Sequence, residues 1–278
     1  MLVIAIVMNK TVIMEAGLLP NLPGKVDSLD ESTKQEYAIL LFSLSSISRI
    51  KYPLKSSQMI TFVLNILDSN AKIETILLCL GTLHNLSLVL ENAGDLVCSN
   101  VLNILLRFST SEASEKALAT LGNLAVTLMG RKALENQPMV PENFIEILSK
   151  EDNPKCQESA SYILLILAHQ SSVQREKMGK AKIVPVLLEV ALFGSPLAQK
   201  RALKLLQWFK DERQVKMGIM NSPTNDGQAK EGKKLMTNIV KQSLYKNMER
   251  ITSRANGSSG SSSFKELVVS SSSKSLPY

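Results

Sequence analysis

Apolar residues recur three and four positions apart through most of the first 210 residues, and no run of Val, Ile, Thr and Tyr alternates with polar residues over the length of a strand. Five stretches share one signature, at residues 37–45, 79–87, 117–125, 160–168 and 202–210. In most of them a small residue (Cys79, Ala117, Ala160 or Ala202) precedes apolar positions at helical spacing, with a short polar residue near the end. Placing Asn123 over Ser43, Asn85, Ile166 and Trp208 aligns the five at intervals of 42, 38, 43 and 42 residues. Ahead of the later four lies a second apolar stretch, at 59–67, 101–106, 144–148 and 183–192, joined on by polar segments such as 68–71, 109–112 and 150–154. Each unit therefore supplies at least two helices, and a helix hairpin cannot bury its apolar stripe alone, so neighbouring units must stack. The pattern predicts an all-α fold, a right-handed α-solenoid of about five repeats over residues 1–210.

Composition agrees with one continuous core. The chain has 278 residues, 45% of them hydrophobic, while aromatic residues make up only 5%, which argues against a β-sandwich or barrel. Charge is distributed unevenly. Residues 1–200 carry 18 Lys or Arg against 19 Asp or Glu, and residues 201–278 carry 14 against 6, so the whole excess of +7 comes from the C-terminal part. Helical periodicity fades after Asp211, and 211–230 reads as a linker containing Gly, Pro, Asn and Asp. Residues 231–256 regain it, with Leu235, Ile239, Leu244, Met248 and Ile251 on one face and Lys233, Lys234, Lys241, Lys246, Arg250 and Arg254 largely elsewhere. Such a basic amphipathic helix has three uses: capping the solenoid, docking on a partner helix, or lying on an acidic membrane surface. Residues 257–278 form a Gly/Ser-rich tail expected to be disordered.

Three cysteines, Cys79, Cys98 and Cys156, lack CxxC spacing and read as free, buried thiols of a reducing compartment, the cytoplasm or nucleus. The apolar opening of the chain is too short for a signal peptide's layout, and no transmembrane segment is expected.

Two motifs carry a family resemblance. Residues 9–22, NKTVIMEAGLLPNL, and residues 117–125, ALATLGNLA, resemble the inter-repeat junction and the third helix of armadillo repeats. Residues 195–213 and the segments around 241–251 and 270–278 are similar to plant armadillo-repeat proteins of the U-box-associated group. The resemblance implies repeats that recognise partner proteins, beside a separate U-box that recruits a ubiquitin-conjugating enzyme. Counting one period back from Ser43 reaches Met1, so the expectation is a chain that starts within a truncated repeat, without a U-box and without ligase activity of its own.

In armadillo proteins an Asn near the end of each third helix bonds the backbone of an extended peptide in the groove. Asn85 and Asn123 match that position, while Ser43, Ile166 and Trp208 depart from it. The importin-like pairing of each Asn with a Trp four residues earlier is missing, since Ile39, Gly81, Ala119, Tyr162 and Lys204 stand there. Two roles remain open for the amides, groove donor or brace of the helix end, and two for Trp208, terminal-layer anchor or binding hot spot. His84 and His169 lie about two periods apart, and the sequence contains no HExxH, GxSxG or GxGxxG. No metal, cofactor or catalytic residue is expected. The expected function is a non-catalytic scaffold that binds a protein ligand along the groove, through Ser43, Asn85, Asn123 and Trp208, with a link to ubiquitin-ligase substrate recognition. The alternative is contact of the basic tail with nucleic acid or an acidic membrane surface. Ala117→Leu should overfill the contact between neighbouring layers and cost roughly 1 to 3 kcal/mol, read as a lowered thermal midpoint.

Overall fold

The computed structural model describes residues 21–24, 26–46, 56–150, 153–169 and 171–219. The chain divides into two compact units, Met1–Val215 and Lys216–Tyr278, and the contacts below belong to the first. The basic helix expected at 231–256, the Ser-rich tail, most of the 9–22 junction and the chain's opening residues lie outside the described residues.

Twelve α-helices are described: α1 (Glu31–Ser45), α2 (Ser56–Asp68), α3 (Ile73–Ser87), α4 (Ala93–Cys98), α5 (Val101–Phe108), α6 (Ser114–Val126), α7 (Leu128–Glu135), α8 (Glu142–Ser149), α9 (Pro154–Ala168), α10 (Ser172–Lys180), α11 (Ile183–Phe193) and α12 (Pro196–Ile219). The five signature stretches fall in α1, α3, α6, α9 and α12, and the second apolar stretches are α2, α5, α8 and α11. The last three repeats also have a short first helix: α4, preceded by a 3-10 turn at Leu90–Asn92, then α7 and α10. α12 runs on to Ile219, through the start of the linker expected at 211–230.

The third helices form one layer. α1 lies against α3, α3 against α6 and α6 against α9, while α2 backs α3, α5 backs α6 and α8 backs α9. Cys79, Ala117, Ala160 and Ala202 are fully buried, so backbones approach where a larger side chain would hold them apart. Leu80, Leu83, Leu118, Leu121, Ile163, Leu164 and Leu205 fill the space between layers, with Met59, Ile66, Leu105, Phe144 and Leu187 closing it from the second helices. Polar ties cross the layers at their edges. Glu31 at the start of α1 accepts from the backbone N–H of Lys72 and the Thr75 hydroxyl at the start of α3. The bond from Lys72 holds its carboxyl below the ordinary range against a smaller opposing effect of burial. At the far end Arg175 of α10 donates to Glu212 of α12 at 3.0 Å, both side chains only 18% exposed, and to the carbonyl of Ala168 that ends α9.

Local chemistry sets the junctions. Asp30 caps α1, Asn153 caps α9 ahead of Pro154, and Ser171 caps α10, each accepting a first-turn N–H. Asn100 and Lys182 adopt left-handed backbone immediately before α5 and α11, turning the first helix of the repeat into the second. The tightest turn joins α6 to α7. There Thr127 donates to the Leu124 carbonyl and accepts from the Gly130 N–H, ending one helix and starting the next. A Cβ on Gly130 would fall directly on the Leu124 carbonyl oxygen, which is backbone and cannot swing aside. Gly130→Ala should therefore destabilise the fold by roughly 1 to 3 kcal/mol, and an unchanged denaturant midpoint would contradict this account of the turn.

Candidate partner-binding face

The residue six positions after each small, buried residue sits on another side of the same helix, so the third-helix layer has an outer face in register from end to end. Asn85, Asn123, Ile166 and Trp208 occupy that register, Ser43 holds it six positions after Tyr37, and all five are half-buried. The structure thus brings the four residues expected to bind a partner into one row and adds Ile166 to it.

The two amides reach the neighbouring layer. Asn85 Nδ2 donates to Ser45 Oγ at 3.0 Å, and Asn123 Nδ2 donates to Ser87 Oγ at 2.9 Å. Each serine passes a hydrogen bond to its own helix, Ser45 to the Phe42 carbonyl and Ser87 to the His84 carbonyl. One N–H of each amide is used in this way, and the second N–H and the oxygen remain available at a half-buried position. In the next two layers the residues that align with those serines are Ala125 and Ala168, and the row residues that follow are Ile166 and Trp208. Serine is thus followed by Asn and alanine by an apolar residue. That pairing is present in the sequence, but it emerges only when two different positions are compared across consecutive periods.

Aromatic rings stand beside the row at both ends. Phe42 lies over Gly81 of the next layer, close enough that a Cβ there would meet its ring at 2.7 Å. Tyr162 lies over Gly122 of the layer before it, and the Arg201 guanidinium stands 4.8 Å from the Tyr162 ring centroid while donating to the Glu158 carbonyl. Partial burial draws the Arg201 pKa down from its ordinary value, opposed by the nearby Glu158 and Tyr162. Trp208, the single tryptophan, has the His169 ring 5.7 Å away and the Lys204 ammonium at 5.7 Å. It also packs against the core, so it anchors the last layer and presents part of its ring.

The face contains no group of three or more His, Cys, Asp or Glu side chains placed to hold a metal ion among the described residues. No single described helix is long and apolar enough to cross a membrane. The six basic residues Lys233, Lys234, Lys241, Lys246, Arg250 and Arg254 lie outside the described residues.

Comparison with solved structures fits this geometry. A designed armadillo repeat protein in complex with the peptide (KR)4 superposes with a TM-score of 0.57 at 18% identity, over 71% of this chain and 84% of the other. The crystal structure of an engineered protein superposes with a TM-score of 0.59 at 21% identity, over 73% and 83%. The fold is an armadillo-repeat solenoid. No protein-family model matches the chain. Its curated relatives are Arabidopsis thaliana U-box domain-containing proteins. U-box domain-containing protein 45 is 26% identical over 218 residues, 77% of this chain and 28% of the relative. U-box domain-containing protein 6 is 32% identical over 129 residues, 45% and 16% respectively. The chain spans little more than a quarter of the first relative's length and less of the second's.

Within the armadillo layers the thiols differ in access. Cys79 and Cys156 are buried, but Cys98, expected to be buried as well, is exposed at the end of the short helix α4. Burial pushes the Cys79 thiol up to about 12, with the Glu31 charge adding to the effect, so its reactive thiolate is scarce at neutral pH. A thiol reagent at pH 8 should label Cys98 rapidly and leave Cys79 and Cys156 protected until denaturant is added. Mass spectrometry that found Cys79 labelled as fast as Cys98 would mean that α1 and α3 separate in the native protein.

Proposed function

We propose that this chain is a non-catalytic binding scaffold that holds a partner polypeptide along the outer face of its third helices. The observation that carries this reading is the row Ser43, Asn85, Asn123, Ile166 and Trp208, set at one register across five helices and half-buried throughout. Its amides keep hydrogen-bonding capacity that an extended backbone would satisfy, and Ile39, Phe42 and Leu77 expose apolar surface beside them. The likeness to a designed armadillo protein that carries a peptide supports the same use of the face. The U-box relatives support a place in ubiquitin-ligase substrate recognition, with this chain on the side that selects the protein to be bound. Free thiols favour the cytoplasm or nucleus as the site of that role.

One observation favours a second contact. The net +8 of residues 201–278, from 14 basic and 6 acidic residues, would add a salt-sensitive attraction to nucleic acid or an acidic membrane surface.

Ile39 and Leu77 are 50% and 42% exposed, so Ile39→Ser with Leu77→Ser should leave the melting temperature nearly unchanged. Proteins captured from plant extract by the full chain at moderate salt should be lost or sharply reduced with the double variant. Capture of the same proteins in the same amounts would remove recognition from this face. Material retained by both proteins at low salt and released as salt rises would belong to the basic tail.

A further inference from the structure

The face differs in chemistry from one end to the other. At the first two layers, Ile39, Phe42 and Leu77 expose apolar side chains. At the last layer Lys200, Arg201 and Lys204 place three cations within two turns of α12, beside Tyr162 and Trp208. Three acidic residues of the last layers have partners of their own, and Glu158 keeps its charge near Arg201. Glu115 pairs with Lys155 at 3.0 Å, Glu158 accepts a short hydrogen bond from Ser195, and Glu212 pairs with Arg175. Lys200 and Lys204 form no ion pair among the described residues.

We infer that the partner segment is an acidic peptide, with carboxylates meeting Lys200, Arg201 and Lys204 and apolar side chains meeting Ile39, Phe42 and Leu77. This rests on the third-helix face being the binding surface. Charge complementarity selects the acidic end, because three cations outnumber the Glu158 carboxylate beside Arg201 and Lys200 and Lys204 form no ion pair among the described residues, while a lysine or arginine would meet net like charge. A peptide such as (KR)4, held by the designed armadillo protein, is the wrong charge for this end. The apolar end favours a polypeptide over nucleic acid, since phosphates gain nothing from Ile39, Phe42 and Leu77. Spacing follows from the stack. Packed helices stand about 10 Å apart, so three to four steps span roughly 30 to 40 Å. An extended chain rising about 3.3 Å per residue covers that in roughly nine to twelve residues.

Trp208, the single tryptophan, is a built-in reporter. The probe is a peptide of about twelve residues without tryptophan, carrying Leu and Phe near one end and three Glu near the other. Its control carries three Lys in place of the Glu. The Glu peptide should change Trp208 emission saturably, with affinity falling as salt is raised, and the Lys peptide should bind at least about tenfold more weakly. Lys200→Glu with Lys204→Glu, both exposed positions, should weaken the Glu peptide by about tenfold or more and reverse the preference. Equal or tighter binding of the Lys peptide, an unchanged response of the double variant, displacement of the Glu peptide by a single-stranded oligonucleotide, or no saturable response to it overturns the inference. If the Lys peptide binds as tightly as the Glu peptide or more tightly and loses affinity with Ile39→Ser and Leu77→Ser, the acidic preference fails while the face remains the binding surface. If protein capture is also insensitive to those two substitutions, both readings fail.

Discussion

The contact between consecutive third helices governs the rest of the molecule. Cys79, Ala117, Ala160 and Ala202 have no exposed surface, and each stands where one layer meets the next. A third helix with a bulky residue there would be held off its neighbour, and the leucines above and below would lose their contacts together. Since the row residue follows six positions after the small residue, fixing that residue also fixes the direction of Asn85, Asn123, Ile166 and Trp208, and Ser43 stands at the same spacing after Tyr37, which packs on Phe62. Packing inside the solenoid thus determines what is displayed outside it.

That arrangement separates stability from surface chemistry. Between α1, α3 and α6 the row is tied by amide-to-serine hydrogen bonds, a net contribution of about 1 kcal/mol apiece. In α9 and α12 it carries Ile166 and Trp208, whose burial against the core yields a similar order of stabilisation. The layers can exchange one solution for the other without altering the helix contacts beneath. The exchange is coordinated, because an amide facing Ala125 or Ala168 would lose its acceptor and an isoleucine facing Ser45 or Ser87 would leave a hydroxyl without its donor.

The second and third helices were legible in the sequence because each carries a long apolar stripe that repeats in phase. The first helices were not. In α10 only Gln174 and Met178 are buried, and in α7 only Gly130 and Leu134, too few positions to establish a period. Their local signals are turn residues, the Thr127–Gly130 pairing and the left-handed Asn100 and Lys182. The end of α12 was hidden for a different reason. Apolar spacing weakens after Phe209, yet the helix continues, and Glu212 finds its partner in Arg175, 37 residues earlier. A tertiary ion pair leaves no local pattern. Cys98 likewise looks apolar by type, and only its place at the end of the short α4 exposes it. For the site, the row itself was visible from the period, but the destination of its amides required the neighbouring layer.

Trp208 shows why anchor and contact residue are not competing descriptions. An indole is large enough to pack one part of its ring on the core of the last layer while leaving another part at the surface. The buried part holds the ring rigid, so a partner that touches it loses little further side-chain entropy. Lys204 at 5.7 Å from the ring and Arg201 at 4.8 Å from Tyr162 hold their cations against aromatic faces. A cation placed this way is partly ordered before any partner arrives. The same packing that closes the core at this end therefore pre-arranges the charges displayed on it.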